Sequence, residues 1–327
     1  MRPFEVKSPR TLREAVLELP DKHSPSGARL IAGGQDLLTV LKDDIEQPPT
    51  LVRLRGVPDL DLLVVNRDGT LDIGALVTLQ DLADNADVQR AVPALSQAAA
   101  SIASAQIRSQ ATVGGNLNQR PRCPYFRHPA VTCFKKGGNT CLAEFGFSKY
   151  AAILGGGPSY FVHPSDLAPV MLALDATFHL VGKAGARAVK ARDYYVLSDV
   201  ALDTESVRRA DEVLVKATIP ALPAGLRTTY HKFKERASYD FALVAAAVGV
   251  LLEGDRIAEA RVVLGGVAPM PWRSLEAEAA LVGQVMGAAA WRRAGEAAVR
   301  DAAPLEHNGY KVHLVKGVLY RALESIA

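Results

Sequence analysis

Residues 28–42 read ARLIAGGQDLLTVLK, and residues 50–54 read TLVRL. Ala28–Ala32 is a short apolar run of strand character, and Gly33-Gly34 interrupts it. Gln35–Lys42 then takes up helical period, and Thr50–Leu54 is strand-like again. Strand, diglycine, helix, strand is a βαβ unit, so its strands should run parallel with a right-handed crossover. Upstream, the spacing of Thr11–Leu19 predicts a helix. Downstream, Leu62–Val65 and Leu71–Leu76 flank an Asn-Arg-Asp-Gly turn and predict a hairpin.

Helical patterns follow at Thr78–Ala83 and Ala91–Ala103. Between Ile107 and Gly157 the periodicity dissolves into Gly, Pro, Asn and Arg, a long irregular stretch of the kind a compact domain keeps when it uses it. Order resumes with a helix at Asp166–Leu174 and a strand at Thr177–Val181. Pro220–Gly225 (PALPAG) has linker composition. Beyond it, Val248–Val263 predicts a hairpin around Glu253-Gly254-Asp255, followed by helices at Ser274–Val282, Ala288–Ala303 and Gly309–Ile326. That final third, about 100 residues, has the size of a separate α+β unit.

The 327 residues are 49% apolar and 22% charged, a globular composition, with a net charge of +3 that argues against nucleic acid as the default partner. The longest apolar run, Phe241–Leu252, falls short of the roughly 20 residues of a membrane span. The N-terminal MRPFEVKSPRTLREAV has no apolar core of a secretory signal, so a soluble, cytoplasmic protein is the expectation. The three cysteines cannot form a disulfide framework, yet they cluster at Cys123, Cys133 and Cys141.

Five features carry candidate chemistry. Ala32-Gly33-Gly34-Gln35-Asp36-Leu37 stands where a strand ends and a helix begins, a place where glycine lets backbone N–H groups approach an anion such as a pyrophosphate. It is neither G-x-G-x-x-G nor a P-loop, which removes the usual nicotinamide and nucleoside-triphosphate readings. Thr112-Val113-Gly114-Gly115-Asn116-Leu117 is a second diglycine turn. Two such turns in one domain suggest a dinucleotide held between them. From Thr112 to Ala143 there is no acidic residue, while Arg120, Arg122, Arg127, Lys135 and Lys136 surround the cysteines. Basic neighbours lower thiol pKa and offset the charge of a thiolate-ligated cluster, although Cys-x9-Cys-x7-Cys matches neither zinc-ribbon nor ferredoxin spacing. His163-Pro164-Ser165-Asp166-Leu167 opens a helix, with Asp166 a cap or a ligand to hydroxyl groups. Lys232 and Arg236 share a face if their segment is helical.

Taken in order, these motifs resemble the FAD-binding (medium) subunit of the xanthine dehydrogenase family of molybdenum hydroxylases. AGGQDLL and ATVGGNL look like that family's two flavin pyrophosphate loops. Cys123–Cys141 falls where the 4-hydroxybenzoyl-CoA reductase β subunit and some bacterial aldehyde oxidoreductase flavin subunits carry an inserted [4Fe–4S] loop. HPSDLAPVMLALDA, LGGVAPMPWR (Leu264–Arg273) and the Tyr310-Lys311 stretch extend the likeness essentially end to end.

The resemblance implies an α+β fold: a vanillyl-alcohol-oxidase (PCMH) type FAD-binding domain over residues 1–222, with subdomains of about 1–56 and 57–222 and a Cys-containing insertion at about 118–160. A C-terminal α+β domain of the CO dehydrogenase flavoprotein type would span 223–327. Carried over residue by residue, Ala32, Gly33, Gly34, Gln35, Asp36 and Leu37 with Thr112, Gly114, Gly115 and Asn116 would hold the pyrophosphate and adenosine side of FAD. Asp166 with Leu167 would meet the ribityl or ribose region, Lys232 would lie near the flavin ring, and Tyr194 or Tyr195 would pack near it. Where relatives supply four cysteines this chain has three, Ser159 standing at the fourth place. A non-cysteine ligand, a [3Fe–4S] or [4Fe–4S] cluster on incomplete thiolates, or a metal-free loop all stay open. The thiols in their acid-free surround favour a retained cluster.

The implied function is an electron-transfer flavoprotein subunit with no catalytic residue of its own. Its partners would be a molybdenum-cofactor large subunit and a [2Fe–2S] small subunit in a higher-order heteromer. An autonomous flavin oxidase of the vanillyl-alcohol-oxidase superfamily is the alternative. A zinc-stabilised RNA-binding module is disfavoured by the cysteine spacing and near-neutral charge.

Overall fold

A computed structural model describes residues 1–327. Three sheets organise the chain. In the first, β1 (Glu5–Lys7), β2 (Arg29–Ile31) and β3 (Thr50–Arg53) lie in the order β1-β3-β2, all parallel, so the βαβ unit is present as expected. The helix Leu12–Leu17, capped by Thr11, buries Ala15 and Val16 in a small core with Val52 and Leu54.

The second sheet is antiparallel and five-stranded. It comprises β4 (Leu63–Val65), β5 (Leu71–Gly74), β6 (Thr177–Gly182), β7 (Gly185–Lys190) and β8 (Val213–Ile219), in the order β4-β5-β8-β6-β7. The predicted hairpin is β4–β5. The third sheet is an antiparallel meander of β9 (Arg227–Phe233), β10 (Val244–Glu253), β11 (Arg256–Gly265) and β12 (Trp272–Arg273).

Strand β10 explains the apolar run that opens the last third. Val244, Ala246, Val248 and Val250 face the helices Leu275–Leu281, Ala288–Ala298 and Tyr310–Glu324. Alternate residues Ala245 and Ala247 enter the largest core, with Leu71, Ile73, Phe178 and the helices Leu79–Asp84, Pro93–Ala100 and Leu167–Ala173. A strand buried on both faces has no polar side to present, so its sequence reads as a continuous run. The largest core therefore continues past Pro220–Gly225, the segment that joins β8 to β9.

One expectation is corrected by the fold, and another is met. Lys232 lies on β9 and Arg236 in the loop after it, so they share no helical face; pairing of β9 with β10, at Lys232 opposite Ala245, decides the local conformation. The irregular stretch carries only short helices, Ala105–Arg108, Val113–Leu117 and Pro124–Arg127, and one 3₁₀ turn at Phe134–Lys136. No helix is long and apolar enough to cross a membrane.

Candidate functional site

The two diglycine turns meet across one cavity of about 470 Å³, within the usual range for a ligand site. Their approach is close. A Cβ on Gly33 would fall 2.0 Å from the Gln110 carbonyl oxygen, so only glycine lets the first turn sit against the turned segment that leads into the second.

The first turn offers donors. From Gly33 to Leu37 no backbone N–H donates to any protein acceptor; the first N–H to do so is that of Leu38, to Gly34 O at 3.0 Å. Asp36, at the position where an acid caps a helix, makes no cap bond. Its carboxylate is turned toward the insertion, 2.7 Å from Arg127 Nη2 and 2.9 Å from Arg122 Nη2. Five consecutive free donors in the wall of a cavity form an anion cradle.

The second turn is built otherwise. Thr112 caps the helix Val113–Leu117 by accepting from Gly115 N–H, and Val113 and Gly114 donate to Val77 O and Ala75 O. Its donors are thus consumed by the fold. Gly114 packs on Ala75, where a Cβ would fall 2.8 Å from the alanine methyl, while a Cβ on Gly115 would meet only Thr112 Oγ1. This turn supplies shape, with Asn116 fixed by Ser165 Oγ at 2.6 Å.

Ala32, Gly33, Gly34, Gln35, Asp36, Leu37, Thr112, Gly114, Gly115, Asn116 and Asp166 all line the cavity. Two expected residues do not. Leu167 is fully buried in the hydrophobic core, because the helix it begins packs its whole first turn inward. Lys232 lies behind Asp166, its Nζ 2.8 Å from Oδ2, with both side chains under 5% exposed. Tyr230 donates to the other carboxylate oxygen at 2.6 Å, and burial, with the Asp166 charge beside it, pushes the phenol well above its usual pKa. Tyr195 lines the cavity and Tyr194 is buried beside it, donating to Asn118 Oδ1 at 2.6 Å.

Several lining residues carried no signal in the sequence: Arg208, Tyr239 and Phe241 arrive from distant loops. Arg120 and Arg122 line the cavity too, and each retains a buried Nε–H without an acceptor. A 470 Å³ cleft with a free-donor turn in its wall suits a dinucleotide with a central diphosphate, which is the shape and charge of FAD.

The cysteines form no comparable site. No three His, Cys, Asp or Glu side chains form a group that could hold a metal ion. Cys133 and Cys141 are buried and Cys123 half-buried, with burial pushing the Cys123 thiol up to about 11. Cys141 Sγ accepts from Tyr160 N–H, and Ser159 is tied through its backbone to Ser198 Oγ. The basic residues expected to offset a cluster are paired with distant carboxylates: Arg122 and Arg127 with Asp36, Arg120 with Glu46 and Glu205, and Lys135 with Glu205. Three thiols so placed do not fit a four-thiolate cluster, and no electron step is drawn through one.

Residues 2–222 match the family model described as FAD binding domain in molybdopterin dehydrogenase, and residues 228–326 match the CO dehydrogenase flavoprotein C-terminal domain. The chain is 37% identical over 331 residues to the aldehyde oxidoreductase FAD-binding subunit PaoB of Escherichia coli K12, covering 99% of this chain and 98% of that one. It is 28% identical to the carbon monoxide dehydrogenase medium chain of Hydrogenophaga pseudoflava, covering 98% and 96%. Among solved structures, quinoline 2-oxidoreductase from Pseudomonas putida 86 superposes with a TM-score of 0.77 at 27% identity, covering 99% of this chain and 97% of that one. The chain belongs to the family of FAD binding domains in molybdopterin dehydrogenases, carrying the CO dehydrogenase flavoprotein C-terminal domain behind it.

Proposed function

We propose that this protein is the FAD-binding, electron-transferring subunit of a multi-subunit molybdenum hydroxylase, working with a molybdenum-cofactor large subunit and an iron–sulfur small subunit. The observation that carries the reading is the run of unpaired N–H groups from Gly33 to Leu37 in the cavity wall, with Asp36 turned away from it. Relatives named as FAD-binding subunits and medium chains, matched nearly end to end, support the subunit role.

In this assignment Gly33–Leu37 bind the diphosphate, and Thr112–Asn116 close the opposite wall. Asp166, held by Lys232 and Tyr230, presents a fixed carboxylate to hydroxyl or ring N–H groups at the inner end. Bound FAD supplies the redox chemistry; the protein positions it and excludes water. No side chain need act as acid, base or nucleophile. The family-model ranges support a division into an FAD-binding unit of 1–222 and a C-terminal unit of 223–327, and the separate parallel sheet of β1, β2 and β3 supports subdomains of about 1–56 and 57–222 within the first.

The test is direct. Protein purified from its native complex should be yellow, releasing one FAD per chain on denaturation and co-purifying with a molybdenum-containing subunit. A colourless protein that takes up no FAD on reconstitution contradicts the assignment.

A further inference from the structure

Asp36 stands among the free N–H groups of the first turn, yet its carboxylate is committed elsewhere. Oδ1 accepts from Arg127 Nη2 at 2.7 Å and lies 2.9 Å from Arg122 Nη2, while Oδ2 accepts from the Arg120 N–H at 2.7 Å. All three partners come from the irregular insertion. Arg127 is itself held by Pro121 O at 2.7 Å and Thr39 Oγ1 at 3.1 Å, so its guanidinium is locked in place. Arg122, by contrast, makes no hydrogen bond to the insertion's own backbone and stacks over Phe241, 4.8 Å from the ring centre.

An aspartate at this position has an ordinary alternative: to turn inward and accept from the N–H groups at the start of the helix. There it would consume donors and place a negative charge where a diphosphate must sit. We infer that Arg122 and Arg127 are positioning residues that hold the Asp36 carboxylate out of the diphosphate cradle, making the insertion a determinant of how tightly the turn binds its anion. The inference rests on the first turn being that cradle. It also gives the insertion's basic residues a role that requires no metal.

The test measures FAD affinity of the full-length apoprotein by quenching of flavin fluorescence. Arg122→Met/Arg127→Met should weaken binding at least tenfold, because Asp36 then loses both charged partners and keeps only the Arg120 N–H, leaving its charge uncompensated beside the cradle. Adding Asp36→Asn to that background should return the affinity to within about threefold of wild type, since an amide carries no charge to repel the diphosphate. If the arginines merely brace the insertion, the triple variant binds no better than the double, and the inference falls. Should the double variant not fold, Arg122→Met alone carries the same test: weaker binding, rescued by Asp36→Asn, or failure of the idea if no rescue occurs. Wild-type protein that binds no FAD overturns the cradle itself. Equal affinity of wild type and the folded double variant leaves the cradle standing and overturns only the role of Asp36.

Discussion

Gly33→Ala and Gly115→Ala should move stability in opposite directions while both weaken FAD binding. A Cβ on Gly33 would lie 2.0 Å from Gln110 O, 2.8 Å from Gln110 C and 3.1 Å from Ala111 Cα, all backbone atoms with no rotamer to yield. Restoring ordinary contact distances of about 3.5 Å requires the two segments to part by about 1.5 Å. Such overpacking costs about 1–3 kcal/mol, and at about 2–4 °C per kcal/mol the apoprotein Tm should fall by at least ~2 °C. The same displacement misaligns the N–H donors. Hydrogen bonds to a charged group contribute about 1.5–3 kcal/mol each, so losing one or two weakens FAD by about a hundredfold.

At Gly115 a Cβ would meet only Thr112 Oγ1, at 3.1 Å, and the residue lies within the helix Val113–Leu117. Alanine there gains up to about 1 kcal/mol of helix propensity, so apoprotein Tm should hold or rise. The added methyl nonetheless enters the cavity wall, and FAD affinity should drop about tenfold. Differential scanning fluorimetry of apoprotein and fluorescence titration with FAD measure both quantities. An unchanged Tm and affinity for Gly33→Ala, or wild-type affinity for Gly115→Ala, would refute the reasoning.

Other perturbations test the surroundings. Lys232→Met strands the Asp166 carboxylate, both partners being under 5% exposed, and should lower unfolding free energy by about 3–5 kcal/mol in urea titrations; a loss under ~1 kcal/mol would mean the pair does not hold that corner. Cys133→Ser should leave FAD stoichiometry at the wild-type value, because no cysteine lines the cavity, and loss of flavin would show the insertion and the site to be one structural unit. Lys311 donates to Tyr150 O, Ala151 O and Gly266 O, and burial pulls its ammonium down to about 7. The unfolded chain then binds the extra proton between about pH 7 and the ordinary lysine value, so stability rises with pH across that window by up to about 1.4 kcal/mol per unit. Lys311→Met should abolish that slope, and parallel profiles for the two proteins would exclude it.

What could be read from sequence was whatever neighbours in the chain decide. The βαβ unit, both hairpins and the long C-terminal helices follow from local periodicity, and the turns at Gly33 and Gly115 announce themselves by glycine at a change of period. Strand β9 was illegible because RTTYHKF has no apolar alternation; its partner β10 makes it a strand. The same limit governs the site. Basic residues of the insertion were visible, but their carboxylate partners Asp36 and Glu205 lie more than 65 positions away, so an acid-free window in the chain was not an acid-free surround in space. Lys232 was expected near the flavin ring, yet the fold pairs it with Asp166 and leaves it out of the cavity lining.

A crystal structure of the FAD-loaded protein is the decisive measurement. The diphosphate oxygens should rest within hydrogen-bonding reach, about 3 Å, of the amide nitrogens between Gly33 and Leu37, with the Asp36 side chain still on its arginines. A diphosphate bound away from that loop, or an Asp36 carboxylate folded back onto those amides, would contradict the account.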